Sequence, residues 1–122
     1  MSSRAQSVTA VAPEMHVGDL DRASTTQGST WTATVTNTVH DSTHLPVANA
    51  LVSGAWTDGP SGSCTTTATG QCAVSRSGIP KKTTSVKFTV TNVARAPFVY
   101  KPASNHDPDG DSNGTEVTVT RR

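Results

Sequence analysis

Leucine and isoleucine are nearly missing, with three and one among 122 residues against 14 valines. That scarcity removes the usual material of amphipathic helices, and no segment holds helical spacing over three turns. Charge is sparse too. Ten Lys and Arg face nine Asp and Glu, a formal net charge of +1, which leaves no clustered basic surface for nucleic acid or an anionic membrane. No apolar run approaches the length of a spanning helix, so no membrane insertion is expected. Val, Ile, Leu and Phe make only 20 of 122 residues, but such a low content signals disorder only when net charge is large. Two cysteines are too few for a structural zinc site. No G-x-S-x-G elbow occurs, and no serine or cysteine sits in a recognisable context with a base and an orienting group. No catalytic residue is assigned, and the chain is read as not an enzyme.

What the chain has is threonine, serine and valine. Thr (21) and Ser (14) supply 35 residues, and Thr shares with Val the branched β-carbon that packs on a pleated surface. Trp31, Ala33, Val35, Asn37 and Val39 alternate with threonines at 30, 32, 34, 36 and 38, so one face is buried and the other hydroxylated. The run ends in the polar, proline-closed turn His40 to Pro46. A second strand places Ala50, Val52, Gly54 and Trp56 inward and stops at Asp58-Gly59-Pro60. Ser77 to Lys82 reads as a further turn. After it Val86, Phe88, Val90 and Asn92 alternate with Lys87, Thr89 and Thr91. Phe98 to Tyr100 reads as a short edge between prolines, and Thr115 to Thr120 as a final strand. With Met15 to Leu20 the count is seven or eight short strands, the pattern of an all-β, antiparallel two-sheet sandwich in one domain. The expected core holds Trp31, Val35, Val52, Trp56, Val86, Phe88 and Val90, both indoles being in phase with the apolar faces of their strands.

Cys64 and Cys72 flank Gly70 in a β-rich run that reads as a hairpin with one cysteine on each arm. Pairing about Ala68 sets them face to face, within reach of a disulfide. A bridge in a small β domain indicates an oxidising compartment, hence a secreted or cell-surface location. Residues 1–14 contain no continuous apolar stretch of signal-peptide type and read as linker, with the domain at 15–122. An exported domain lacking its own signal is expected to have neighbouring domains in a longer chain.

Trp31 to Val39, the segment Pro46 to Trp56, the Cys64/Cys72 run and Val86 to Val93 together resemble a bacterial immunoglobulin-like module, similar to the invasin-type and fibronectin-like varieties. The most specific part is D-x-x-x-x-P-V-x-N-A-x-V, carried by Asp41, Pro46, Val47, Asn49, Ala50 and Val52. The resemblance covers residue 15 to the C-terminus. It implies an immunoglobulin-like β-sandwich acting as a non-catalytic spacer or accessory module of a secreted bacterial multidomain protein. The runner-up is a binding module for polysaccharide, cell surface or a protein partner. The stretch Asn105 to Thr115 departs from the general pattern.

That departing stretch carries the clearest candidate site. Asp107, Asp109, Asp111 and Asn113 at alternate positions could surround a hard cation such as calcium, with Asp19 or Asp21 added if the first and last strands meet. The competing reading is a turn built by Asp, Asn, Gly and Pro for their backbone habits. Four histidines, His16, His40, His44 and His106, raise the question of a transition metal. The i, i+4 spacing of His40 and His44 has no geometric force in a turn between strands, so surface histidine is the default. His16 and His106 could meet beside the acidic loop. Lys81, Lys82, Arg76 and Lys87 form a small basic cluster expected to be solvated, and an isopeptide bond at Lys87 or Lys101 is disfavoured because Lys87 falls on the polar side of its strand. Nothing in the pattern compels assembly, so a monomer is expected.

Overall fold

The computed structural model describes residues 12–57, 59–108, 110 and 112–121, so most of the expected linker 1–14 lies outside the described residues. Eight strands are present among them: β1 Glu14–Gln27, β2 Thr30–Asp41, β3 Leu51–Trp56, β4 Ser61–Thr65, β5 Gln71–Pro80, β6 Ser85–Ala94, β7 Val99–Tyr100 and β8 Glu116–Thr120. They form two four-stranded sheets, ordered β5-β2-β1-β7 and β4-β3-β6-β8. The described residues contain no α-helix, only a single 3-10 turn at Pro102–Ser104.

The β1–β2 hairpin dominates the first sheet. Its ladder runs from Met15 opposite Asp41 to Gln27 opposite Thr30, closed by a two-residue turn at Gly28 and Ser29. The strand extends well past Leu20, the end of the segment expected from the sequence pattern. Asp21 to Gln27 carry no apolar alternation because most of their side chains face solvent. Their strand character comes from backbone pairing with the first half of β2.

Alternation in β2 and β3 places Trp31, Val35, Val52 and Trp56 in the interior, where they meet Val86, Phe88 and Val90 from β6. The rings of Trp56 and Phe88 pack with centroids 4.9 Å apart. The Trp31 indole is fully buried, and its N–H donates to the Thr83 carbonyl at 2.9 Å, so the polar edge is satisfied.

Three local readings change. β6 does not stay in phase to Asn92: Ser53 lies opposite Asn92 but Gly54 lies opposite Val90, so Thr91 is an extra residue in the ladder. The bulge turns Asn92 outward and Val93 inward. Ser77 to Pro80 is strand rather than turn. A register shift in the β2–β5 ladder falls where Gly78 adopts φ +70, again a bulge, and it lets Ile79 enter the core. Cys64 and Cys72 are joined, with Cα atoms 5.8 Å apart, but not across a hairpin. Cys64 is on β4 and Cys72 on β5, and these strands belong to different sheets. Between them Thr67 to Gln71 makes a tight turn that carries the chain from one sheet to the other. The bridge therefore clamps one edge of the sandwich, and such a pair fits an extracytoplasmic protein.

Replacing both cysteines by alanine should lower the unfolding free energy by about 2.5 kcal/mol, the chain-entropy value for so short a loop. The check is the shift of the denaturant midpoint at constant slope, and an unchanged midpoint would show that the clamp contributes nothing.

Candidate metal centre

The four histidines that the sequence scatters over 90 positions converge at one end of the first sheet. His16 on β1 lies directly opposite His40 on β2. Their neighbours Met15, Val17 and Val39 point into the core, so both imidazoles project from the outer face. Gly18 makes this possible. A β-carbon there would lie 2.2 Å from Nδ1 of His40, so the ring rests where a side chain would otherwise stand.

His44 is brought back over the sheet by the turn after β2. Asp41 organises that turn: its Oδ1 accepts from the backbone N–H of Thr43 and Leu45, at 2.9 and 3.0 Å, and from the Thr43 hydroxyl at 2.7 Å. Its carbonyl accepts from the His44 N–H at 2.9 Å. These bonds hold the Asp41 carboxyl below its ordinary pKa, with the Thr43 hydroxyl the leading cause. They also stabilise the left-handed conformation of His44, φ +66.

His106 arrives from the other side. Beyond β7 the chain stays bound to the free edge of β1, through Lys101 N–H to the Met15 carbonyl (2.8 Å) and His106 N–H to the Val17 carbonyl (3.1 Å). Asn105 locks the contact, accepting from the Val17 N–H at 2.8 Å and donating to the Tyr100 and Thr115 hydroxyls at 2.7 and 3.0 Å.

One nitrogen from each ring lies within 4.8 Å of every other. His16 is buried, His40 and His106 are half-buried, and His44 is exposed. Nε2 of His16 and Nδ1 of His40 are buried without a hydrogen-bond partner, a state that folded proteins seldom leave unexplained. Burial, reinforced by the neighbouring imidazoles, pushes His16 below the ordinary histidine pKa, and burial followed by His44 and His106 does the same to His40. The shift favours the neutral form of both rings, which carries a lone pair. Four imidazoles are a donor set for zinc or copper.

The acidic candidates divide. Asp19, Asp21 and Asp107 come together, and Asp19 is pushed up to about 8, chiefly by burial, then by a hydrogen bond with Asp107 and the charge of Asp21. Its Oδ1 is buried without a partner. Asn113 serves the turn instead: its Oδ1 accepts from the N–H groups of Thr115 and Glu116, at 2.9 and 2.8 Å. Asp107 accepts from the Ser112 hydroxyl. Asp109 and Asp111 lie outside the described residues. Lys87 and Lys101 are surface groups paired with Glu116 and Glu14, at 3.6 and 3.8 Å, rather than buried partners for an isopeptide bond.

The sequence carried only one hint of the histidine cluster, the possible meeting of His16 with His106. The decisive relation, His16 opposite His40, is a register that no local pattern displays. No protein-family model, no curated protein and no solved structure matches the chain.

A carboxyl with a raised pKa binds its proton more tightly in the folded state. Its contribution to stability is present in acid and lost as pH rises from about 4 to about 8. Asp19→Asn mimics the protonated form, so in chelator its melting temperature should exceed that of the parent by an amount that grows across this window and is constant above it. A pH-independent difference would contradict the assigned environment.

Proposed function

We propose that the chain is a non-catalytic spacer or accessory module of an exported multidomain protein, with an immunoglobulin-like sandwich as its body. The pairing order supports that architecture. With strands named as in immunoglobulin-like folds, β1-β2-β5 corresponds to A-B-E, and β4-β3-β6-β8 to C′-C-F-G. The Cys64–Cys72 clamp suits an oxidising environment, and among the described residues no helix is long and apolar enough to cross a membrane.

The observation that favours a spacer over a sugar-binding module is the fate of the aromatic rings. Trp31, Trp56 and Phe88 are buried, and Phe98 and Tyr100 are half-buried against the same core. Among the described residues no tryptophan, phenylalanine or tyrosine ring is left as an exposed platform for stacking on a polysaccharide. The isolated chain should therefore pass unretained through insoluble polysaccharides and show no binding on a glycan array. Saturable retention on either would overturn the spacer reading and favour the binding-module alternative, with the 103–114 loop as its contact.

A structural calcium ion belongs to the same proposal. Asp19, Asp21 and Asp107 gather three carboxyl groups where burial makes their mutual repulsion costly, and a hard cation relieves that repulsion. Calcium at millimolar concentration should raise the melting temperature of chelator-treated protein, and Asp19→Asn should reduce that rise. An unchanged melting temperature removes calcium from the account.

A further inference from the structure

We infer that His16, His40, His44 and His106 bind a single divalent transition-metal ion of borderline softness, zinc or copper(II). This ion fastens the 41–46 turn and the 102–107 loop to the first sheet. The inference is independent of the spacer reading, since either kind of module could carry such a brace.

Geometry is the first argument. Bonds of about 2.1 Å to a tetrahedral ion put the four nitrogens roughly 3.4 Å apart. No two of these nitrogens are more than 4.8 Å apart, so the most distant pair must close by no more than about 1.4 Å, shared between two rings.

The second argument is the orphaned nitrogens. His16 Nε2 and His40 Nδ1 lie buried with no donor or acceptor. An uncompensated buried polar atom is costly, and ligation of an ion is one way for such a nitrogen to gain a partner. His106 shows the complementary arrangement. Its Nδ1 is 3.2 Å from the Ser104 carbonyl, which can only accept, so the tautomer with the proton on Nδ1 and the lone pair on Nε2 is the one this contact selects. A metal-ligating imidazole is oriented in this way by an outer hydrogen bond.

Donor chemistry selects the ion. The cluster contributes nitrogen only, which disfavours calcium and magnesium, and both cysteines are tied in the disulfide, so no thiolate competes. Entry is open. A cleft of about 340 Å³, lined by Glu14, His16, Ser42, His44, Lys101 and Ser104, leads to the cluster from solvent.

The test uses the untagged chain, stripped with chelator and titrated calorimetrically with zinc alone, copper(II) alone and calcium alone. One equivalent of zinc or of copper should bind at submicromolar dissociation constant, raise the melting temperature and, for copper, show imidazole nitrogen couplings in the paramagnetic resonance spectrum. His44→Asn retains a residue that tolerates the left-handed backbone and removes an exposed ring, so the metal-free melting temperature should stay put while affinity falls about tenfold or more. His106→Gln provides a second variant with the same expected loss. Absence of zinc and copper binding, several weak equivalents in place of one, or parental affinity in both variants would overturn the assignment.

Discussion

The antiparallel register of β1 on β2 is the constraint on which the rest depends. Side chains alternate across a strand with period two, so a one-residue slip would exchange the faces. With Val17 opposite Val39, both enter the core; with His16 opposite His40, both leave it. A single ladder thus builds the apolar interior and sets two imidazoles side by side. The shift at Gly18, between the Val17–Val39 and Asp19–Thr38 pairs, then gives the His40 ring its room.

On this frame the two loops act as opposed arms. Asp41 folds the turn that returns His44, and Asn105 fastens the segment that delivers His106. Each arm is held by hydrogen bonds in which a side chain serves backbone groups, joined in the His106 segment by backbone bonds to β1, the expected device where loops must be exact without a core of their own. At the same end Asp19, Asp21 and Asp107 crowd together. The histidines and the three carboxyl groups thus share one end of the sandwich, while Trp31, Trp56 and Phe88 are buried in its interior.

The all-β character and much of the interior were legible from alternation alone, because β2 and β3 hold their phase and each buries one face. Legibility failed where the period broke. Thr91 and Ser77-Gly78 are bulges, and a bulge reverses the faces downstream without announcing itself in composition. It failed too for Asp21 to Gln27, whose strand state comes from a partner, and for Cys64 and Cys72, whose bridge was expected within one hairpin but spans two sheets. The histidine cluster was the least visible feature. Its members come from a ladder pair, a turn and a distant loop, so sequence spacing carries almost none of its geometry.

The most direct test of this account is the β1–β2 register in solution, by interstrand nuclear Overhauser effects between backbone protons. The account predicts cross-strand contacts that pair His16 with His40 and Val17 with Val39, followed by a one-residue offset at Gly18. A pattern in which Val17 pairs with His40 would put the histidines and the core valines on the wrong faces, and would contradict both the fold and the site.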